Sequence, residues 1–181
     1  LDRVVESITA RPEVGIAGAR LVLRDGSFDH AAKRSFPTPL SALAHFTGVG
    51  RSSLAGESLG QYRAPTLNEH DSGYVEAVNG AFMMVRREAL EQVGLLDEGY
   101  WLYMEDLDWC ARFGRAGWRT WYEGSAEVLH VKGGTSGTWR GLRQNVAFHR
   151  GMGRFYRRFQ AGRVPLLDAL VYGGIGVKLA V

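Results

Sequence analysis

The chain reads as an α/β domain with a helical tail, on three observations. Short apolar runs of strand character, such as residues 14–19 and 119–123, alternate with amphipathic segments of helical period, such as 1–11 and 105–116. Turn residues such as Asp25-Gly26 punctuate the alternation. A basic, aromatic stretch and then an apolar one close the chain, and both have helical character.

Taken in order, residues 1–11 predict a helix with Val4, Val5 and Ile8 on one face, ended by Pro12 and Gly15. Residues 14–19 and 20–23 predict two strands before the turn at Asp25-Gly26. Phe36-Pro37-Thr38-Pro39 opens a segment, 35–50, that continues as a short apolar helix. Residues 51–73 are polar and rich in Gly and Ser, which predicts a long loop of the kind that binds or covers a ligand. Strands are predicted at 75–78 and 81–85, and a helix at 87–93. A second helix spans 105–116 with Leu107, Cys110, Ala111 and Gly114 inward. Strands follow at 119–123 and 126–131, then a basic, aromatic helix at 138–160.

A chain of 181 residues, 45% apolar and 23% charged, supports one folded domain with a sizeable core and excludes a disordered chain. Cys110 is the sole cysteine, which rules out an intramolecular disulfide framework and fits a reducing, cytoplasmic compartment. Leu1-Asp2-Arg3-Val4-Val5-Glu6 is a helix start and not a secretory leader. The chain also begins in mid-pattern without Met, which predicts a fragment.

The net charge of +3 hides an asymmetry. Residues 128–167 contain no acid and carry Lys132, Arg140, Arg143, Arg150, Arg154, Arg157, Arg158 and Arg163. A basic tail on an acidic body predicts an anionic partner, either lipid headgroups at the inner face of the cell membrane or a lipid-linked pyrophosphate. No nucleic-acid-binding motif accompanies the charge, so nucleic acid is not expected as a partner. Residues 164–181 are apolar but hold Asp168, Lys178 and three central glycines, too short and interrupted to span a bilayer. They predict either an interfacial helix on a membrane or a terminal helix packed on protein.

The richest stretch in chemistry is Tyr100-Trp101-Leu102-Tyr103-Met104-Glu105-Asp106-Leu107-Asp108. Three carboxylates follow a run of aromatics and open a helix. Acids there complement the positive end of the helix dipole, and they also place an ionised carboxylate at a rigid edge, where a general base belongs. Taken alone, they fit ordinary helix capping equally well.

Their neighbours carry a resemblance. Val78-Asn79-Gly80-Ala81-Phe82, then Gly94-Leu95-Leu96-Asp97-Glu98, Tyr103-Met104-Glu105-Asp106, Ala116-Gly117-Trp118 and Val128-Leu129-His130 follow one another in an order and spacing similar to family 2 glycosyltransferases. The likeness covers residues 4–158 and is greatest to the bacterial rhamnosyltransferase branch. It implies the C-terminal part of a GT-A, Rossmann-like mixed sheet flanked by helices. Residues 1–137 would be a partial transferase domain, and 138–181 its basic and apolar C-terminal helices.

The resemblance also implies roles. Asp106 matches the base that takes the acceptor's proton, with Glu105 orienting it or touching the acceptor; Asp106 should stay ionised at neutral pH in the helix dipole. Gly80, Trp101, Tyr103 and Asp108 are candidates for the acceptor site, Asp108 more as a supporting or capping residue because it points away from Asp106 on a helix. His130 is the candidate metal ligand, for Mn or Mg, or else a histidine satisfied at a strand end. Gly133-Gly134-Thr135-Ser136 could bind phosphate. His149 and Arg150 are candidates for a donor diphosphate or lipid pyrophosphate. The implied partners are a dTDP- or UDP-sugar and a glycan or lipid-linked acceptor of cell-envelope polysaccharide.

The pattern is broken in one place. The family's nucleotide-binding half, with its Asp-x-Asp, has no counterpart before Leu1. This predicts that the parent protein transfers sugar and that this chain alone does not. The alternative is a non-catalytic glycan- or membrane-binding module derived from a transferase.

Overall fold

A computed structural model describes residues 1–39, 41, 67–132, 141–162 and 164–180. Most of the predicted apolar helix in 35–50, most of the predicted loop in 51–73 and all of the Gly133–Ser136 segment lie outside them. The chain is mixed α/β with C-terminal helices, and it divides into two compact units. The first comprises Leu1–Phe36, Arg63–Asp97 and Glu105–Thr138; the second comprises Pro37–Tyr62, Glu98–Met104 and Trp139–Val181.

The first unit is built on a four-stranded mixed sheet. Helix α1 (Asp2–Thr9) leads into strand β1 (Val14–Val22). Strands β2 (Lys33–Arg34), β3 (Gly73–Val75), β4 (Ala77–Val78) and β5 (Met84–Val85) follow, then helices α2 (Arg87–Val93) and α3 (Glu105–Arg115) and strand β6 (Arg119–Leu129). The sheet order is β3-β6-β1-β5. β1 and β6 run parallel at its centre, and the short β3 and β5 flank them antiparallel. β2 and β4 form a separate antiparallel pair, Lys33 opposite Val78 and Arg34 opposite Ala77.

The central pair explains two departures from the sequence reading. Residues 14–22 form one strand and not two, because β1 keeps its ladder to β6 from Val14 to Val22, and Leu23 lies past its end. Likewise β6 runs unbroken through Gly124 and Ser125, since a register shift opposite Ala19/Arg20 absorbs the extra residues as a bulge. Gly124 suits that bend: a Cβ there would lie 2.5 Å from the His70 carbonyl carbon. The predicted strand at 81–85 shortens to Met84–Val85, because residues 80–82 form a turn closed by Phe82 N–H donating to Asn79 O at 3.2 Å.

α1 is amphipathic and buries Val4 and Ile8 against Val14, Ala17, Ala19, Trp121 and Ala126. Each such side chain contributes about 1.5–3 kcal/mol of transfer free energy. α2 ends at Gly94, whose φ of +83° favours a residue without Cβ. α3 buries Leu107, Cys110, Ala111 and Phe113. Gly114, expected inward, is exposed, and Phe113 takes the inner position. Burial pushes the Cys110 thiol up to about 12, which leaves it an inert core residue.

The second unit, in its described parts, is a helical hairpin of α4 (Leu142–Phe159) and α5 (Pro165–Ala180) with residues 98–104 packed on it. Met152, Phe155 and Tyr156 of α4 and Val171 and Ile175 of α5 are among its buried side chains, with Tyr100, Met104 and His149. Among the described residues no helix is long and apolar enough to cross a membrane.

Candidate active site

The candidate site lies in the first unit, where the N-terminus of α3 meets the Asn79-Gly80 turn. The β2–β4 ladder sets Arg34 beside Ala77 and Val78, so its guanidinium reaches both the Val78 carbonyl (3.3 Å) and Asp106 Oδ2, with which it forms an ion pair. Gly80 N–H donates to the same Oδ2 at 3.0 Å. Oδ1 accepts from the Leu107 amide at 2.8 Å. Asp106 is thus buried and held by a cation and two amides, one from its own helix start.

Glu105 is held differently. Its Oε2 is buried and has no hydrogen-bond partner among the described residues. Burial first, and then the neighbouring Asp106, push its carboxyl above the usual glutamate range; Arg34 and its own backbone only partly offset this. Glu105 and Asp106 line a half-open cleft of about 430 Å³ with Gly80, Phe82, Leu96 and Trp109. Trp109 keeps its place in the wall by donating its Nε1–H to Gly94 O at 2.9 Å. Such a cleft offers one anchored carboxylate, one poised carboxyl and apolar walls, which suits proton abstraction from a polar ligand.

The backbone leading into α3 is unusual. Tyr103 and Met104 both have positive φ, 68° and 73°. Two successive non-glycine residues there cost about 1–2 kcal/mol each. Packing within the second unit sustains them: Met104 is buried, Tyr103 meets Phe148 edge-on, and both lie against Gly151. Backbone strain of this kind clusters at functional sites.

The other candidates are distributed as follows. Asp108 is fully buried and pairs with Arg112 at 2.8 Å, one helical turn on, while Arg112 also caps the Val93 and Leu95 carbonyls. It therefore joins α3 to the end of α2 and does not line the cleft. Trp101 and Tyr103 belong to the second unit, where Trp101 is exposed beneath the Arg143 guanidinium, 4.4 Å from its ring centre. His149 is buried with Nδ1 at 2.9 Å from its own helix's Asn145 carbonyl, whereas Arg150 is exposed, so the two do not share a surface.

His130 follows the last residue of β6. Its Nδ1 sits 2.7 Å from Oδ2 of Asp29, and Lys132 approaches Oδ1 at 2.8 Å. The hairpin after β1 brings Asp29 there, with Asp29 N–H bonded to Leu21 O while His130 N–H bonds to Val22 O. Burial opposes ionisation of Asp29, but Lys132, the Ala31 amide and His130 together hold its carboxyl below the usual range. Among the described residues no group of three side chains could hold a metal ion. The ammonium on Asp29 also disfavours a cation there, so the described residues do not form a metal set.

Arg34, Asp29 and Glu123 were not singled out from the sequence. Arg34 meets Asp106 across 72 positions and Asp29 meets His130 across 101, and no local pattern announces such pairs.

No family model matches the chain. Among curated proteins it is 34% identical over 137 residues to an N-acetylglucosaminyl-diphospho-decaprenol L-rhamnosyltransferase of Mycobacterium tuberculosis, covering 76% of this chain and 44% of that protein. It is 29% identical over 98 residues to the rhamnosyltransferase WbbL of Escherichia coli, covering 54% of this chain and 33% of WbbL. An uncharacterized protein of Sinorhizobium fredii, y4gI, matches 155 residues at 26% identity, 85% of this chain and 16% of that protein. The chain therefore spans less than half the length of these relatives, and over most of its own length it is similar to rhamnosyltransferase-type glycosyltransferases.

Proposed function

We propose that the protein carrying this chain is an inverting family 2 glycosyltransferase of GT-A fold, and that this chain holds its acceptor and catalytic-base half. The donor would be a dTDP- or UDP-sugar, with dTDP-rhamnose first. The acceptor would be a glycan or a lipid-linked sugar diphosphate, the class named in the mycobacterial relative, at the cytoplasmic face of the cell membrane. The observation that carries the reading is the Glu105–Asp106 pair lining the cleft, with Asp106 clamped by Arg34 and the Gly80 amide.

In this reading an acceptor hydroxyl enters the cleft and attacks the anomeric carbon from the face opposite the leaving diphosphate. The new C–O bond forms as the bond to the nucleoside diphosphate breaks. Asp106 accepts the hydroxyl proton, and Arg34 and Gly80 fix the rotation of its carboxylate. Glu105 hydrogen-bonds the acceptor, as donor while protonated. A divalent ion, Mn or Mg, would neutralise the leaving diphosphate. Since the described residues contain no metal set, His130 would contribute at most its Nε2, and no step is derived through the ion.

The test is an assay of the full-length protein with dTDP-rhamnose, manganese and a polyprenyl-diphosphate-linked N-acetylglucosamine. Asp106→Asn should lower kcat by about 10²–10⁴-fold, the usual contribution of a positioned base, with KM little changed. Near-normal turnover by a folded Asp106→Asn protein would remove Asp106 as base. No transfer from any dTDP- or UDP-sugar by the unaltered protein would remove the transferase reading.

A further inference from the structure

We propose that the apolar wall of the cleft, with Leu96 as its most exposed large side chain, determines acceptor specificity by reading the methyl of an N-acyl group on the acceptor sugar. The inference rests on the acceptor reading above and deepens it by naming the residues that select the sugar.

The lining divides by chemistry. Glu105 and Asp106 are its titratable side chains, and among the described residues no Lys, Arg or His stands with them. Arg34, the nearby cation, is engaged by Asp106. Two carboxyls without a free cation disfavour an anionic group, so a diphosphate stays outside and a neutral part of the ligand enters. Phe82, Met83, Leu96 and Trp109 supply carbon surface. Leu96 is 45% exposed, whereas Trp109 is 8% exposed and Phe82 packs against the α1 core. Stacking the C–H face of a sugar ring needs an open, flat aromatic face, which a tryptophan so deeply buried does not offer. A branched aliphatic side chain suits a methyl group, which removes apolar surface from water on both partners.

The wall is held in place from behind. Gly94, at a φ of +83°, ends α2 and turns the chain toward Leu96. Arg112, paired with the buried Asp108, donates to the carbonyls of Val93 (3.1 Å) and Leu95 (2.8 Å). The Trp109 indole donates to Gly94 O, so its only polar group is not available to a ligand. These bonds fix the backbone just before Leu96 to α3, the helix that carries both carboxyls, and so preorganise the wall against them.

An acetamido group meets both halves of the lining. Its methyl takes the Leu96 side, and its amide N–H donates to Glu105 Oε2, which has no partner among the described residues. A hydroxyl in place of the acyl group sets a polar group against Leu96 with nothing to bond. A free amine is drawn to the carboxyls and gains nothing from the wall.

The experiment is calorimetric binding of short-chain prenyl-diphosphate-linked sugars to the full-length protein without donor. N-acetylglucosamine should bind about tenfold or more tighter than N-formylglucosamine, one methyl in an apolar pocket being worth about 10–200-fold. Glucose should bind more weakly still. Leu96→Ser should make the N-acetyl and N-formyl sugars nearly equal. Leu95→Ser, at a side chain 75% exposed and outside the lining, should preserve the preference. Equal binding of the two acyl sugars by the unaltered protein, tighter binding of free glucosamine, or an N-acetyl preference that survives Leu96→Ser would overturn the proposal. Selective binding without sugar transfer would leave this assignment standing and remove the transferase reading; transfer without selectivity would do the reverse.

Discussion

Glu123 and Glu105 are two glutamates of the same unit with opposite surroundings. Both are withdrawn from solvent, yet Glu123 is saturated and Glu105 is not. Glu123 Oε1 accepts from the hydroxyls of Ser72 and Ser125, both at 2.6 Å, and Oε2 from the Ser7 hydroxyl and the Trp121 indole (3.2 Å). Burial works against its ionisation, but these donors outweigh it and bring its carboxyl down to about 2. Glu105 has a buried oxygen with no partner among the described residues and a carboxyl held above the usual range. The first arrangement ties α1, the segment before β3 and β6 together. The second leaves a carboxyl oxygen without a partner in the lining of a cleft, where it can hydrogen-bond a ligand. A carboxylate whose lone pairs are all used is a structural tie; one left without a partner has capacity for a ligand.

The contrast can be broken at several points. Removing the saturated group should have the largest effect on stability. Glu123→Ala strands the hydroxyls of Ser7, Ser72 and Ser125 and should cost about 2–3 kcal/mol in urea denaturation. A change under about 0.5 kcal/mol would show that solvent satisfies those donors equally well.

Acid comes next. Because Glu123 is depressed when folded, its stabilisation is present above the ordinary glutamate value of 4.5 and is lost as pH falls through that value toward about 2. Melting temperature of the unaltered chain should therefore drop over that window more than that of Glu123→Gln. Parallel curves would break the assignment.

The smallest effect belongs to Glu105, and its sign is reversed. A carboxyl raised by burial is no burden below its unfolded value and costs stability as pH rises through its folded value. Glu105→Gln should thus melt slightly higher than the unaltered chain at neutral pH, with the gain vanishing under acid conditions. A lower melting point at neutral pH would mean that the ionised carboxylate has partners the cleft does not show. The same substitution should lower transfer by the full-length protein although it stabilises the fold, the trade expected of a functional group.

Much of the local structure was legible. The α2 boundaries at Arg87 and Val93 and the α3 start at Glu105 follow from apolar period and flanking turn residues. Strand breaks were less so. Gly124-Ser125 looks like a turn in sequence, yet the parallel ladder to β1 continues past it, because inter-strand hydrogen bonds outweigh a local preference. At the site, Glu105 and Asp106 were visible as an acidic helix start, while the features separating them were not. Arg34 sits two residues into a short ladder whose pairing with Ala77–Val78 no local pattern specifies.

What the sequence determined by itself was the helices α1 to α3, the place of the acidic pair and the basic character of the tail, since period, turn chemistry and charge are read one segment at a time. Only the tertiary structure decided which carboxylate is clamped, which is left unsatisfied, and which faces of α4 and α5 stay uncovered. Those depend on partners far away along the chain, brought close by β1–β6 pairing in one unit and antiparallel helix packing in the other. Burial and hydrogen-bond satisfaction are properties of that packing, and no single segment carries them.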